Sequence, residues 1–185
     1  MDIQQDLVRH YRWLRQYGYN DSHSGNASVR EGNRFWVTPT GACADLLEAD
    51  ELIHCPVDGE PTEGASLDAR LHALVYRKNP NANALLHSHG AYSVAMTMNG
   101  EDFVPLDFEG EYYFRRIPVI SIPYDRYIEL AADAVSDVLA QHKVVVVRGH
   151  GVCATAETIN LAYKWTCSFE LSAKTGFIAR QAGTL

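Results

Sequence analysis

The chain reads as an α/β domain, and three observations lead there. Segments with a helical apolar period alternate with short β-type runs along the sequence. The two most apolar runs, Ala84 to His89 and Val144 to Arg148, are short and bounded by glycine, which suits interior strands of a sheet covered on both faces. Finally, 185 residues with 46% hydrophobic and 21% charged composition supply a substantial core for one globular domain. No repeat, low-complexity tract or long linker divides residues 1–185 in two.

Taken in order, Ile3, Leu7, Tyr11 and Leu14 recur at helical spacing and predict an amphipathic helix ending near Tyr17-Gly18. A Gly/Asn/Ser-rich stretch follows. Arg34 to Thr38 reads as a strand closed by Pro39-Thr40-Gly41, and Leu52 to Val57 as another closed by Asp58-Gly59. Ser66 is the expected N-cap of a helix through Lys78, with Leu71, Leu74 and Val75 on its apolar side. Strands are expected at Ala84 to His89, Ile117 to Ile122 and Val144 to Arg148, with a helix over Tyr127 to His142 between the last two. A long helix from about Ala156 to Gln181 closes the chain, apolar enough to touch another subunit as well as the core.

The balance of residues excludes several classes of function. A formal net charge of −7 and scattered Lys and Arg residues argue against nucleic acid as a partner. No apolar run approaches the roughly 20 residues of a membrane-spanning helix, and Met1 to Asp6 lacks the pattern of a secretion signal, so a cytoplasmic protein without membrane contact is expected. Cys43, Cys55, Cys153 and Cys167 form no CxxC pair and read as reduced thiols; Cys153, near His150, reads as a packing residue rather than a ligand.

The chemistry starts at His87-Ser88-His89. Side chains two apart on a strand leave the same face, so two imidazoles can aim at one point. His150 stands between Gly149 and Gly151 just past an apolar strand, where glycine permits a sharp turn. Three neutral imidazoles with an open position are a composition that suits catalytic zinc. His72 lies one turn after Asp68 on the same helix face, and reads either as a residue that orients the carboxylate or as a satisfied core histidine. Asp68 itself, near a helix start, is an acid/base candidate, although aspartate is also common there because it favours the positive end of the helix dipole. Glu109 is a second candidate carboxylate.

Gly25-Asn26-Ala27-Ser28, Thr38-Pro39-Thr40-Gly41, Ser66 through His72 and Tyr76, His87-Ser88-His89, and Gly149-His150-Gly151-Val152 occur in an order and at spacings that resemble the class II aldolase/adducin family over nearly the whole chain. The resemblance implies a three-layer α/β/α fold, with a central, mainly antiparallel sheet between helices. It implies one divalent metal ion per subunit, zinc being expected, on His87, His89 and His150. It also implies a homotetramer, and a small phosphorylated sugar whose phosphate is cradled by Asn26, Ser28, Thr40, Gly41 and Ser66. An anion held there would meet the free N–H groups of a helix start. The implied reaction is reversible aldol cleavage of a phosphorylated ketose or related hydroxy-ketone through a metal-stabilised enediolate, with Asp68 moving a proton to or from carbon.

The sequence also departs from the family pattern. Asp68 stands where the aldolases carry glutamate, an arrangement closer to the sugar-phosphate 4-epimerases. Leu67 replaces a hydroxyl residue, and no tyrosine follows Tyr163, so Tyr112 or Tyr113 is the candidate replacement for a tail tyrosine donor. Epimerisation and a methylthioribulose-phosphate dehydratase-type reaction using Glu109 are therefore alternatives. A nonenzymatic adducin-like module is a third, and retention of all three histidines argues against it.

Overall fold

The structure is a computed structural model that describes residues 2–185. The elements are helix α1 (Ile3–Gln16), strands β1 (Asn26–Glu31), β2 (Arg34–Val37) and β3 (Ile53–Pro56), helix α2 (Ala69–Lys78), strand β4 (Ala84–Ser88), helices α3 (Ala91–Met96) and α4 (Phe108–Tyr113), strand β5 (Val119–Ile120), helix α5 (Tyr127–Leu139), strands β6 (Val144–Val147) and β7 (Gly151–Ala156), and helix α6 (Ile159–Ala182). The strands form a seven-stranded sheet in the order β3-β2-β1-β4-β7-β6-β5. Every neighbouring pair is antiparallel except β5 with β6. The mainly antiparallel α/β architecture expected from the sequence is the one observed.

Side-chain alternation divides the core between the two faces of the sheet. Leu85, Val145, Val147 and Cys153 point to one face and pack with Leu71 and Val75 of α2 and with Val135 and Leu139 of α5. Ala84 and Leu86 point the other way, toward Leu7, Tyr11 and Leu14 of α1. Val144, Val146, Val152 and Ala154 point to that same second face, onto Trp165 and Phe169 of α6. This is why Ala84–Leu86 and Val144–Val147 are apolar at every position: each strand has helices above and below it.

Four expectations change in detail. Strands β1 and β7 carry little sequence signal, because β1 opens on Asn26-Ala27-Ser28 and β7 is mostly small residues after a glycine. The strand expected over Ile117 to Ile122 shrinks to Val119–Ile120 at the sheet edge, with Ile117 pairing instead to Phe103 in an isolated bridge. Two short helices, α3 and α4, occupy the stretch after His89. Ser66 is not the N-cap of α2: the helix begins at Ala69 with Asp68 in the cap position, and Ser66 Oγ accepts from the Asp68 backbone N–H at 3.2 Å. The chain thus makes a turn before α2, and that turn sets Asp68 at the helix mouth.

Leu85 is fully buried between β1, β7 and the α2/α5 layer. Leu85→Ala is expected to lower stability in urea denaturation by about 2–5 kcal/mol; a loss below about 1 kcal/mol would mean this layer is not close-packed.

Candidate metal centre and acid/base cleft

His87 and His89 extend the face of β4 that carries Leu85, so both imidazoles emerge at the end of the α2/α5 layer. The β6 and β7 strands are joined through Arg148-Gly149-His150, with Val147 paired to Gly151 and the His150 N–H donating to the Val147 carbonyl at 3.0 Å. Gly149 takes a φ of +69°, a left-handed conformation that glycine adopts without strain. A Cβ on Gly151 would stand 2.5 Å from the His89 ring and 2.8 Å from the His87 ring, so only glycine lets this hairpin approach the pair.

The result is a cluster in which one ligand atom from each of His87, His89 and His150 lies within 4.8 Å of the others. His87 Nδ1 donates to the Val152 carbonyl at 3.1 Å, which fixes the tautomer and leaves Nε2 as a lone-pair donor. His89 Nε2 lies 2.9 Å from that atom, and His150 Nδ1 is buried without a partner. Facing imidazole nitrogens and an unpaired buried one are what a cation binding there would satisfy. The His89 backbone N–H is held by the Tyr19 carbonyl at 2.8 Å and the Asn20 side chain at 2.9 Å. Burial, with the neighbouring histidines, pushes the His89 pKa down to about 3, and burial with His87 pushes that of His150 down to about 4. Both rings are neutral at ordinary pH. Burial pushes the Cys153 thiol well up, so it remains protonated 3.5 Å from His87 Nδ1 and packs rather than ligates.

These histidines open into a cleft of about 660 Å³ whose other walls include Asn26, Thr40, Gly41, Ser66, Asp68 and Tyr127. Asp68 Oδ2 accepts from the Asn26 amide at 2.8 Å, and Oδ1 accepts from the Tyr127 hydroxyl at 3.3 Å. Burial opposes its ionisation, but His87, the Asn26 amide, His72 and His150 outweigh burial and hold the carboxyl below its ordinary range. Asn26 in turn accepts from His72 Nε2 at 2.6 Å, and His72 Nδ1 meets Ser28 Oγ at 2.5 Å. Ser28 Oγ also bonds the Tyr76 hydroxyl. Burial pushes the His72 pKa down to about 4, so the ring is neutral, donates through Nε2 and accepts through Nδ1.

The same fold recurs in known proteins. Residues 5–176 match the model of the class II aldolase and adducin N-terminal domain. The chain belongs to the class II aldolase/adducin family. A Methanocaldococcus jannaschii L-fuculose phosphate aldolase is 26% identical over 88% of this chain and 88% of its own length. A Haemophilus influenzae 3-oxo-tetronate 4-phosphate decarboxylase is 30% identical over 92% of this chain and 85% of its own length. The crystal structure of L-fuculose-1-phosphate aldolase from Thermus thermophilus superposes with a TM-score of 0.91 at 30% identity, covering 98% of this chain and 96% of that one.

Within this family framework, the expected site residues separate. Asn26, Thr40, Gly41, Ser66, Asp68 and the three histidines share the cleft. Ser28 does not reach its wall: the residue is fully buried and its hydroxyl is committed to His72 and Tyr76, because it is an interior position of β1 facing α2. His72 acts on Asp68 through Asn26, not by direct contact. Glu109, Tyr112 and Tyr113 lie on α4 and are not among the cleft walls of this chain. Sequence reading missed Tyr127, which looks like an ordinary helix start, and Asn20, whose side chain braces His89 from a loop.

Burial also gives His72 a pH signature. Its folded pKa, near 4, is below the unfolded value of about 6.5. The unfolded chain therefore takes up a proton first, and the stabilisation present above pH 6.5 is lost as pH falls toward 4, by up to about 3 kcal/mol for this group. Urea midpoints measured from pH 7.5 to 4.5 are expected to fall less steeply in His72→Gln than in wild type. Parallel slopes would mean that His72 is not held neutral by the fold.

Proposed function

We propose that the chain is a metal-dependent carbon–carbon lyase that reversibly cleaves a small phosphorylated ketose or related hydroxy-ketone in the manner of class II aldolases. One observation carries the reading: the ligand atoms of His87, His89 and His150 converge in the same cleft as the Asp68 carboxylate. A divalent cation on those imidazoles, zinc being the expected one, supplies positive charge against which the substrate oxygens can hold the electron pair released by carbon–carbon cleavage.

The protein's own groups do the rest. In the synthetic direction the ionised Asp68 takes the carbon-bound proton of a hydroxy-ketone, and the C–H electron pair becomes the enediolate; in cleavage Asp68 returns that proton to carbon. Thr40, Gly41 and Ser66 offer the substrate phosphate hydroxyl and backbone groups beside the mouth of α2, where the helix dipole favours an anion. Asn26 lines the same wall with one amide hydrogen already given to Asp68. We also infer a cytoplasmic homotetramer. Exposed Phe108 and Tyr112 on α4 and Leu171 and Ile178 on α6 form apolar surface suited to subunit contact. Any part for Glu109 or Tyr112 in catalysis would then be played in a neighbour's cleft.

A second reading has its own support in the 30% identity to the Haemophilus influenzae protein named 3-oxo-tetronate 4-phosphate decarboxylase. Loss of carbon dioxide from such a 3-oxo acid also leaves an enediolate that must be protonated at carbon, so the same residues would serve.

Elemental analysis of wild type and His87→Ala, paired with assays of aldehyde release from phosphorylated ketoses and carbon dioxide release from 3-oxo acid phosphates, tests both readings. Near-stoichiometric metal in wild type, at least about tenfold less in His87→Ala, and metal-dependent aldehyde release are expected. Asp68→Asn should keep its metal and lose about 100-fold or more in turnover. Carbon dioxide without aldehyde selects the decarboxylase, and a wild type with no specific metal ends both readings.

A further inference from the structure

An aspartate held by one hydrogen bond can still swivel, because its terminal torsion is broad and roughly two-fold. Asp68 is held by two, one on each oxygen and from two different elements. Asn26 on β1 donates to Oδ2 at 2.8 Å, and Tyr127, the first residue of α5, donates its hydroxyl to Oδ1 at 3.3 Å. Asn26 is fixed from behind by His72. Tyr127 is fixed differently: its ring packs edge-on against His150, with centroids 4.6 Å apart and planes at 85°. The phenol therefore touches the metal-ligand cluster with its ring and the carboxylate with its oxygen. An ionised carboxylate only accepts, so the polarity of the contact is settled.

We propose that Tyr127 is a positioning residue for the proton transfer: by donating to Oδ1 while Asn26 donates to Oδ2, it sets the plane of the Asp68 carboxylate relative to the histidine cluster. This rests on the reading of Asp68 as the group that exchanges the carbon-bound proton. In that step a C–H bond breaks, its pair becomes the enediolate, and the proton goes to Asp68. Reversal restores the C–H bond and the carboxylate. Tyr127 exchanges no proton with substrate and alters no charge balance. Its contribution is orientation, for which a displacement near 1 Å costs on the order of 100-fold in rate.

Tyr127→Phe removes the hydroxyl and keeps the ring against His150. The measurement is exchange of the carbon-bound hydrogens of dihydroxyacetone phosphate, and of dihydroxyacetone, with deuterium oxide, followed by NMR on the metal-loaded protein. This isolates proton transfer from cleavage and needs no knowledge of the aldehyde partner. Tyr127→Phe is expected to lower kcat for exchange by about 10–100-fold, with KM within about threefold of wild type and metal content unchanged. In an Asp68→Asn background the same substitution should add no more than about twofold, since a residue acting through another has nothing left to act on. Wild-type exchange in Tyr127→Phe, an additive loss in the double variant, or a loss that appears in KM or metal content would each overturn the proposal. Exchange at the wild-type rate in Asp68→Asn would instead remove the assigned role of Asp68, and no exchange in wild type would remove the aldolase reading itself, with the Tyr127 proposal falling in either case.

Discussion

Across the β4–β7 ladder His87 faces Cys153 and Ser88 faces Val152, and the arrangement at the cleft follows from that register. It places the Val152 carbonyl against His87 Nδ1, which fixes the tautomer, and it sets the start of β7 so that the 148–150 turn carries His150 over the His87 and His89 rings. A slip of one residue would turn His87 to the opposite face of the sheet, where Leu86 packs against the α1 layer. What resists that slip is the core. Leu85, Val145, Val147 and Cys153 fill one face, while Ala84, Leu86, Val144, Val146, Val152 and Ala154 fill the other. The geometry of the histidine cluster is thus secured by the apolar packing of the strands that carry it.

The acid/base side of the cleft is secured by polar groups instead. Tyr76, Ser28, His72 and Asn26 are buried and lead in sequence to Asp68, each bonded to the next. Burying such groups is costly unless every one finds a partner, and here the neutral His72 lets each bond have a consistent direction. Tyr76 gives to Ser28, Ser28 to His72, His72 to Asn26 and Asn26 to the carboxylate. Protonating His72 would reverse one link, because Nδ1 would become a donor facing the Ser28 hydroxyl. Burial depresses the pKa of His72, and the neutral ring keeps the bond directions that orient Asp68.

How much of this could be read in the sequence depended on whether the signal was local. The His87-Ser88-His89 spacing carried its geometry directly, since period two on a strand leaves no freedom about which face both rings share. The pairing of Asp68 with His72 on one helix face was also local, but only Asp68 lines the cleft, while His72 is buried behind Asn26. The structure replaced direct contact with a link through Asn26, because Asn26 lies on β1, a strand whose Asn-Ala-Ser start resembles a loop. Ser28 was expected as a phosphate-binding hydroxyl from the family resemblance alone. Its true surroundings are set by strand pairing with β2 and β4, partners distant in sequence. Tyr127 could not be singled out, because its meeting with Asp68 depends on how α5 packs beside α2, and no local pattern links two residues 59 positions apart.

On the proposed reading, that same packing lets an acidic chain take an anionic substrate at this place. Helices α2 and α5 pack side by side, and Asp68 and Tyr127 at their starts both line the cleft, so the positive ends of two helices lie at it. No lysine lines the cleft, and Arg148 stands on its rim with Nε tied to the Met98 carbonyl. His89 and His150 add little positive charge of their own, because burial holds both neutral. Burial that makes them weak bases also leaves their lone pairs free for a cation, so they are better suited to hold charge than to move protons. On the proposed reading proton movement falls to Asp68, whose carboxyl is held below its ordinary range, and this short side chain has its orientation imposed from outside. Asn26 imposes it from the sheet and Tyr127 from the helix layer, one on each carboxylate oxygen.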